Sequence, residues 1–432
     1  MTYQEAEAYI LSIPKFTKKN KPEHTKLFLQ YLGHPEQTFQ TIHVAGTNGK
    51  GSVCAYLDAM LRGQGKTVGL FTSPHLVKIN ERIVVNGNMI SDNEFLEIFD
   101  QVQNAIVRMA EDDLPHPTFF EYLFGMAVCA FAKAKVDYVV LETGLGGRLD
   151  ATNSISHPVC SVITSIGLDH TELLGDTLEK IAGEKAGIIK EGTPVFYADG
   201  AKESNEVIEN VARNRSVFCK KVGKKDFKIV GIGEKDIAFS CANAYYEGIT
   251  WKLHNTAIYQ PENACLALEV MRMLFQEEKK LSHWQKALAN VTWQGRMEEV
   301  LPDIYIDGAH NISAIQRFSE SVRSQDQRAP KEKVILFSAV QDKDYEQMIQ
   351  HLCQQVDAEL YVVTQITNQR AEDVTKLADI FRKYTKKPVV EKAELAEAWS
   401  YLRDHQDHRR VYCLGSLYLV GMIKELIEKA ER

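Results

Sequence analysis

The sequence lacks the features that mark several specialised classes of protein. Its eight cysteines show no C-x-x-C spacing, so neither a disulfide framework nor a zinc site is predicted. No run of 18 apolar residues occurs, and the N-terminal segment is polar and acidic, unlike a membrane span or a secretory signal. We therefore expect a cytoplasmic protein without a membrane partner.

A basic surface is missing as well. The chain has 51 Lys and Arg against 58 Asp and Glu, a net charge of −7, so nucleic acid is not an expected partner. Hydrophobic residues make up 44% of the chain, which is enough for a sizeable core. The length of 432 residues exceeds one ordinary domain, and we expect two or three domains.

The most informative stretch is a glycine-rich loop at residues 46–52, G-T-N-G-K-G-S. A strand-like run at 41–45 precedes it, and a helical pattern at 53–61 follows. This layout is typical of a polyphosphate site, because glycines let successive N–H groups point inward and the helix N-terminus adds positive charge. Lys50 would then reach the terminal phosphates, and Ser52 would hold a magnesium ion.

The loop departs from the strict Walker pattern. Val44 stands where the first glycine should be, and Gly51 stands where Ser or Thr should follow the lysine. A glycine-rich turn without a ligand is therefore the alternative. A basic stretch at residues 15–21 is interpreted as a solvated loop, with contact to an anionic ligand as its alternative.

Polar residues follow three predicted strands of the N-terminal half. Thr72-Ser73-Pro74 follows a strand at 67–71, Glu142 ends an apolar strand, and His170 lies shortly after a third strand. Ligands of parallel sheets bind beyond the carboxyl ends of the strands, so these residues are expected on one rim with the glycine loop. A capping or solvated role for Glu142 and a structural role for His170 are the alternatives.

Two aromatic residues open a predicted helix after Thr118. Phe119 and Phe120 are interpreted either as core residues or as a platform for a flat ligand. A further helix at 177–190 carries Lys185, and a lysine on a helix is ordinarily solvated.

The predicted fold class is α/β with two domains. Residues 1–295 form an N-terminal P-loop ATPase-like domain with a parallel sheet, and alternating residues at 215–260 suggest a small antiparallel insertion within it. Strands alternate with helices in residues 296–432, which predicts a C-terminal Rossmann-like α/β domain. Asp307 and His310 follow its first strand and are expected on its ligand rim.

Together these motifs resemble the folylpolyglutamate synthase and dihydrofolate synthase family of the Mur ligase superfamily. The resemblance runs nearly from end to end of the chain. It rests on the glycine loop, T-S-P-H-L at 72–76, E-T-G-L-G-G-R-L-D-A-T-N at 142–153, I-G-L-D-H at 166–170, G-E-K-A-G-I-I at 183–189, D-G-A-H-N at 307–311 and G-S-L-Y at 415–418.

The resemblance implies an ATP-dependent ligase that adds L-glutamate to the γ-carboxylate of a folate through an acyl phosphate. ATP and Mg²⁺ are the implied cofactors, and a carbamylated Lys185 is implied beside the metal. Such a reaction needs concentrated positive charge and accurate placement rather than a nucleophilic side chain. These motifs do not separate folate from dihydropteroate as a substrate, and a monomer is the expected state.

Roles are carried over residue by residue as expectations from the resemblance. The catalytic residues would be Lys50, Lys185 and His170, and the metal ligands Ser52, Ser73, Glu142, His170 and Lys185. ATP would contact Gly46, Thr47, Asn48, Gly49, Lys50, Gly51, Ser52, Asn263, Arg296, Asp307 and His310. The folate and glutamate would contact Thr72, Ser73, Pro74, Arg82, Thr118, Phe119, Phe120, Glu121, Leu149, Asp150, Ala151 and Ser416.

Two other functions remain as alternatives. One is a Mur-type cell-wall ligase that joins an amino acid to a nucleotide-linked peptide. The other is a P-loop nucleotide switch without ligase activity, although no N-K-x-D element for reading guanine follows the glycine loop. ATP contacts from both domains also predict domain closure, with Gly295 as the hinge.

Overall fold

The computed structural model describes residues 1–14, 22–277, 280–367 and 370–431. The basic stretch at 15–21 lies outside the described residues, so its predicted solvated loop is not addressed by the structure.

An eight-stranded sheet forms the centre of the N-terminal half. Its strands are β1 (Gln40–Ala45), β2 (Val68–Phe71), β3 (Ile83–Val85), β4 (Asn88–Met89), β5 (Tyr138–Glu142), β6 (Cys160–Ile163), β7 (Val195–Ala198) and β8 (Cys219–Val222). They lie in the order β4-β3-β2-β5-β1-β6-β7-β8. The strands from β2 to β8 in this order are parallel, and β3 and β4 form an antiparallel edge.

Helices cover both faces of this sheet. Consequently β1 is buried along nearly its whole length, as expected for a parallel strand with helices on either side. The helices are α1 (Tyr3–Ser12), α2 (Pro22–Tyr31), α3 (Lys50–Gly63), α4 (Asp92–Glu111), α5 (Phe119–Lys133), α6 (Thr171–Leu174), α7 (Leu178–Ala186), α8 (Lys202–Asn214), α9 (Gln260–Leu274) and α10 (Leu281–Ala289).

A small antiparallel sheet follows, with strands β9 (Phe227–Ile232), β10 (Ile237–Cys241) and β11 (Trp251–Leu253). The antiparallel insertion predicted from residues 215–260 is therefore present, but its start was placed too early. β8 lies within that range, yet it pairs in parallel with β7 and extends the large sheet. The buried Val222 of β8 packs in the same core as the large sheet, which the local alternation did not reveal.

The C-terminal half has its own six-stranded sheet. Its strands lie in the order β12-β13-β17-β14-β15-β16, and all but the edge strand β12 are parallel. The elements are β12 (Glu298–Leu301), β13 (Ile304–Ile306), α11 (Ile312–Arg328), β14 (Lys333–Phe337), α12 (Tyr345–Gln355), β15 (Leu360–Thr364), α13 (Val374–Tyr384), β16 (Val389–Lys392), α14 (Leu395–Asp404), β17 (Arg410–Leu414) and α15 (Leu417–Glu431).

The two sheets confirm the predicted α/β class with two sheet-containing regions. The chain passes from the first region to the second between α10 and β12, and the predicted boundary at 295/296 falls within that connection. Strand β12 was not predicted, because its four residues are all half-buried and show neither alternation nor a continuous apolar run. In the described part of the chain, no helix is both long and apolar enough to span a bilayer.

Candidate active site

A cavity of about 730 Å³ lies between the two sheets. It is lined by the loops that follow β1, β2, β5 and β6 of the first sheet and β13, β14, β15 and β17 of the second. The carboxyl ends of both sheets therefore face one cavity, as expected for parallel α/β domains.

Most of the sequence-predicted site residues line this cavity. Three do not reach its surface: Gly51, Thr72 and Glu142. Those that line it are Gly46, Thr47, Asn48, Gly49, Lys50, Ser52, Ser73, Pro74, Arg82, Thr118, Phe119, Phe120, Glu121, Leu149, Asp150, Ala151, His170, Lys185, Asn263, Arg296, Asp307, His310 and Ser416.

The glycine loop links the end of β1 to the first residue of α3, which is Lys50. Gly49 precedes the helix with φ 89°, a left-handed conformation in which a side chain would be strained. A Cβ there would also lie 2.6 Å from Oδ1 of Asn263. The loop thus brings its backbone close to α9, with its N–H groups at the start of a 14-residue helix.

Gly51 explains the departure from the Walker pattern. A Cβ on Gly51 would lie 2.7 Å from the indole ring of Trp293. Trp293 belongs to the connection between the two sheets, so this connection packs directly against the start of α3. A serine or threonine after Lys50 would have no room, and the hydroxyl comes one residue later, at Ser52.

The carbonyl of Gly46 accepts hydrogen bonds from two lysines. Lys50 Nζ donates to Gly46 O at 3.1 Å and to Thr47 O at 3.2 Å, and Lys185 Nζ donates to Gly46 O at 2.8 Å. Burial, together with the charge of Lys50, lowers the pKa of Lys185 to about 7. Among the described residues, the two amino groups therefore meet at the glycine loop with backbone carbonyls as their hydrogen-bond acceptors.

Glu142 lies beneath this loop at the end of β5. Its Oε2 accepts a hydrogen bond from the backbone N–H of Ser73 at 3.1 Å, and the Ser73–Pro74 peptide bond is cis. Burial raises the pKa of Glu142, and the charges of Lys50, Arg296 and Arg82 oppose part of that effect. One buried carboxylate is thus surrounded by three cations from distant parts of the chain.

Ser52 belongs to a buried chain of polar side chains that includes a residue the sequence did not single out. Gln260, the first residue of α9, donates from Nε2 to Ser52 Oγ at 3.2 Å. Its Oε1 accepts from Tyr56 Oη and Asn263 Nδ2, each at 3.1 Å. Gln260 therefore orients both Ser52 and Asn263, and only its place beside Pro261 at a helix start marked it in the sequence.

A buried ion pair joins the two halves next to His170. Lys343 Nζ lies 2.5 Å from Oδ1 of Asp169, and His310 Nε2 lies 3.7 Å from its Oδ2. Burial alone would raise the pKa of Asp169, but His310, Lys343 and His170 hold it well below its usual range. Burial lowers the pKa of His170 to about 4, so its imidazole is neutral near pH 7. Lys343 was not predicted from the sequence.

The glycine loop itself contacts the C-terminal half. The side-chain amides of Asn48 and Asn311 exchange two hydrogen bonds, at 3.2 and 3.1 Å. Asn48 also donates to Ser313 Oγ at 2.8 Å, and Asn311 donates to Asp169 Oδ2 at 3.0 Å. The expected ATP loop is thereby joined to the start of α11, a contact between segments more than 260 residues apart.

Both carboxylate oxygens of Asp307 accept hydrogen bonds within the protein. Its carboxylate accepts from the backbone N–H of Met297 and of Ala309, both at 2.8 Å, and from Tyr259 Oη at 3.3 Å. Burial raises the pKa of Asp307, and the charge of Arg296 opposes that rise. Arg296 donates to the carbonyl of Gly295 at 2.8 Å. These contacts fix the connection between the sheets at the edge of the cavity.

The far end of the cavity has an apolar wall from the N-terminal half. Phe119 is buried and Phe120 half-buried, and the ring of Phe120 leaves no space for a Cβ on Gly144, at 2.6 Å. The guanidinium of Arg82 lies over the ring of Phe119 at 5.6 Å. Leu149 and Leu173 complete this wall with 40% and 63% of their surface exposed. The two aromatics thus contribute to both the core and the cavity.

Two carboxylates in this wall also have structural partners. Glu121 forms a capping box with Thr118 at the start of α5, and its Oε1 accepts from Thr25 at 2.7 Å. Asp150 caps the short turn Ala151–Ser154, with Oδ1 accepting from the hydroxyl of Thr152 at 2.6 Å. Hydrogen bonds on one side therefore fix both groups at the cavity surface.

The donor set suits a magnesium ion bound together with phosphates. Across the described ranges, no cluster of three or more His, Cys, Asp and Glu side chains has the geometry of a metal site. Mg²⁺ is usually held by one or two carboxylates with substrate phosphates and water, so a dense cluster is not required. The buried carboxylate of Glu142 and the hydroxyls of Ser52 and Ser73, near the glycine loop, are oxygen donors of the required kind.

Comparison with known proteins identifies the family. The model of the Mur ligase middle domain matches residues 44–271, and that of the dihydrofolate synthetase C-terminal domain matches residues 292–426. The dihydrofolate synthase/folylpolyglutamate synthase of Bacillus subtilis is 38% identical over 363 residues, covering 81% of this chain and 82% of the relative. The chain belongs to the folylpolyglutamate synthase and dihydrofolate synthase family.

Solved structures of this family share the whole architecture. The Mycobacterium tuberculosis folylpolyglutamate synthase complexed with ADP and AMPPCP has a TM-score of 0.87 and 26% identity, covering 98% of each chain. A folylpolyglutamate synthase complex with AMPPCP and folate has a TM-score of 0.84 and 27% identity, covering 99% of this chain and 100% of the other. The resemblance seen in the sequence is confirmed, and the protein is an ATP-dependent ligase.

Proposed function

We propose that the protein joins L-glutamate to the γ-carboxylate of folate or folylpolyglutamate, with ATP converting that carboxylate to an acyl phosphate. One observation supports this proposal more strongly than any other observation does. A single cavity holds a phosphate loop with converging cations at one end and an aromatic wall at the other, as a triphosphate and a flat, carboxylate-bearing ring system require.

The chemistry assigned to the cations follows from charge. The γ-phosphate, the folate carboxylate and the glutamate carboxylates are all anionic, so bringing them together in a buried site is unfavourable without compensation. Lys50 would neutralise the terminal phosphates, and Arg82 and Arg296 would stabilise the charge that develops as the carboxylate attacks. No side chain has to form a covalent bond, because the acyl phosphate is activated enough for the amine of glutamate to attack it.

The remaining assignments belong to the same proposal. ATP is held by the glycine loop and Asn263 on one side and by Arg296, Asp307 and His310 on the other. The pterin and benzoate portion lies against residues 118–121 and 149–151, with the reacting carboxylate near Arg82 and residues 72–74, and Ser416 on the glutamate side. The two domains, residues 1–295 and 296–432, close over these substrates about Gly295, which excludes water from the acyl phosphate.

Magnesium would be held by Glu142, Ser52, Ser73 and His170. When bound, it would supply positive charge to the phosphate oxygens. The low pKa of Lys185, about 7, leaves a substantial share of its amine neutral near neutral pH, and a neutral amine is the form that CO₂ carbamylates. The resulting carbamate of Lys185 would offer anionic oxygens where an ammonium would repel the metal. A plain lysine in active, CO₂-equilibrated protein, seen by crystallography or intact mass, would contradict this part.

The test measures phosphate release from ATP with folate and L-glutamate supplied together and singly. We expect release only with both, accompanied by a product heavier by one glutamate. Release with nucleotide alone would favour the P-loop switch, and a requirement for a uridine-linked peptide would favour the cell-wall ligase. Separate assays with dihydropteroate and tetrahydrofolate then show whether both are substrates.

A monomer and a cytoplasmic location complete the proposal. Both halves of the cavity come from one chain, so a second copy is not needed to complete the site. All eight cysteines are free thiols in the structure, which suits a reducing compartment. Size-exclusion chromatography with light scattering tests the first statement, and cell fractionation tests the second.

A further inference from the structure

His24 is a buried histidine of α2 that lies directly behind the apolar end of the cavity. Its side chain is 9% exposed, and that of its partner Glu121 is 5% exposed. Glu121 lines the cavity from the first turn of α5, whereas His24 does not. His24 therefore contacts the cavity wall from inside the protein.

Both ring nitrogens of His24 face hydrogen-bond acceptors. Nε2 lies 2.8 Å from the carbonyl oxygen of Pro115, and Nδ1 lies 3.1 Å from Glu121 Oε1. A carbonyl oxygen can only accept, so Nε2 carries a proton.

The surroundings of Glu121 show that its carboxyl group also accepts. The hydroxyl of Thr25 donates to Oε1 at 2.7 Å, and the backbone N–H of Thr118 donates to Oε2 at 2.8 Å. Hydrogen bonds donated to both oxygens favour the ionised form of the Glu121 carboxyl group, and beside an ionised carboxylate Nδ1 of His24 is the donor. With protons on both nitrogens, His24 is an imidazolium.

Glu121 is the charged group in contact with the ring. Burial alone would lower the pKa of His24, but the hydrogen bond to Glu121, the one to Pro115 and the charge of Glu121 raise it above its ordinary value of 6.5. Within the described ranges, the other titratable groups on neighbouring elements lie at the surface or contact other residues. These are Glu23 and Lys26 on the exposed side of α2, Arg108 of α4 and Asp112 just after α4, both at Tyr31, His116 at Tyr9, and Asp150 at Thr152.

We propose that His24 is a positioning residue of the substrate wall: as an imidazolium it holds the Glu121 carboxylate in place at the cavity surface. The inference rests on the proposed function, in which this wall takes the pterin portion of the folate. Loss of the proton from Nδ1 would set its lone pair against a carboxylate oxygen, and Glu121 would have to turn or take up a proton. Folate binding then weakens, while the ATP end, which has none of these contacts, is unaffected.

The direction of the pH effect follows from the raised pKa. The ion pair is present below the ordinary histidine pKa of 6.5 and is lost as the pH rises through the higher pKa of the folded state. The KM for folate is therefore expected to rise as the pH increases above 6.5, with the KM for ATP flat over the same range.

Two substitutions separate the charge of His24 from its hydrogen bond. His24→Asn keeps a donor near the position of Nδ1 but does not titrate, and His24→Leu removes both donors. We expect His24→Leu to raise the KM for tetrahydrofolate about tenfold near neutral pH, as for loss of one hydrogen bond to a charged group. His24→Asn should restore most of the affinity and abolish the pH dependence.

His34→Asn is the matched control. His34 forms the same kind of pair with Glu36 at 3.0 Å, but its side chain is 46% exposed and does not line the cavity. Its KM values and pH profile should equal those of the wild type. Equal profiles for wild type and His24→Asn, or an unchanged folate KM in His24→Leu, would overturn the positioning role.

A spectroscopic measurement keeps the test independent of turnover and of the folding of any variant. Nitrogen-15 histidine NMR of the ligand-free wild type, with His24 assigned from His24→Asn, should show a ring that gains its second proton with a midpoint above the ordinary histidine pKa of 6.5. A midpoint at or below 6.5 would overturn the proposal. If the wild type shows no folate-dependent turnover, the proposed function fails; if it turns over folate but His24 variants behave as wild type, only this inference fails.

Discussion

At the glycine-loop end of the cavity, lysines and arginines converge from both halves of the chain and meet backbone carbonyls and the buried carboxylates of Glu142, Asp169 and Asp307. At the other end, the wall comes from the N-terminal half alone, and its polar groups are held by capping and buried hydrogen bonds. The positive charge at the glycine-loop end is balanced only in part by the side chains around it. The polar groups of the apolar wall, in contrast, have hydrogen-bond partners within the protein. ATP recognition should therefore depend on how the two halves meet, and recognition of the flat ring should not.

Replacing Lys50 tests the charged end most directly. Lys50→Met should lower kcat about a thousandfold, because it removes the cation expected to stabilise charge at the phosphates. Folate binding measured by fluorescence quenching should be unchanged. Lys133→Met, which alters an exposed lysine paired with Glu97, is the control and should retain full activity. Loss of folate binding in Lys50→Met would show that the two ends are not independent.

Arg296→Ala tests whether the second half contributes to ATP recognition. We expect the KM for ATP to rise about tenfold or more, since a hydrogen-bonded charge near the phosphates is lost. The protein should stay folded with a lower unfolding midpoint, because Arg296 donates to its neighbouring carbonyl and its charge also compensates the buried carboxyl groups of Glu142 and Asp307. Unchanged ATP kinetics would contradict a nucleotide site shared between the halves.

Gly51→Ser restores the Walker residue after the lysine and should nevertheless impair the protein. The new side chain would collide with Trp293, at an expected cost of about 1–3 kcal/mol of stability. Thermal unfolding and the KM for ATP measure the effect. Adding Trp293→Leu should recover part of the stability, and a double variant no better than Gly51→Ser would show that the collision is not the cause.

Phe120→Leu should give the smallest change. A smaller apolar side chain keeps the wall closed but loses ring contact with the substrate, which we expect to raise the KM for folate a few-fold. The KM for ATP should not change. Phe218→Leu, at an exposed aromatic outside the cavity, is the control. An equal effect on both substrates would indicate a general loss of packing rather than a contact with the ring.

Predictions from the sequence were most accurate where a general rule relates the position of a residue in the chain to its place in the fold. Ser73 and His170 follow strands and Glu142 ends one, so the parallel-sheet rule was enough to predict the edge of the sheet at which they lie, although Glu142 does not reach the cavity surface. Trp293 and Lys343 lie in segments whose position depends on how distant elements pack, and no local pattern marks their side chains as part of the site. Gln260 was marked only by its place at a helix start, and its contacts with Ser52 and Asn263 became visible only in the folded chain. The edge strand β12 was missed because its half-buried residues lack a clear period, and the insertion was started too early because local alternation does not show which sheet a strand joins.

Glu121 takes part both in a helix cap and in the wall of the cavity. The spacing from Thr118 to Glu121 is a capping box, and the structure contains it. The same carboxylate also lines the cavity and contacts His24, which no pattern in α2 indicated. Local rules thus predicted the helix start, and only the tertiary structure revealed the partner behind the wall.

The amide pair between Asn48 and Asn311 has a consequence for exchanging parts between relatives. Asn48 lies in the glycine loop, and its partners Asn311 and Ser313 lie in the other half, next to the Asp169–Lys343 pair. In a chimera whose two halves come from different parents, the two partners of each of these contacts also come from different parents. Such hybrids should assemble a working site only when all five positions are matched, whatever the overall similarity of the parents.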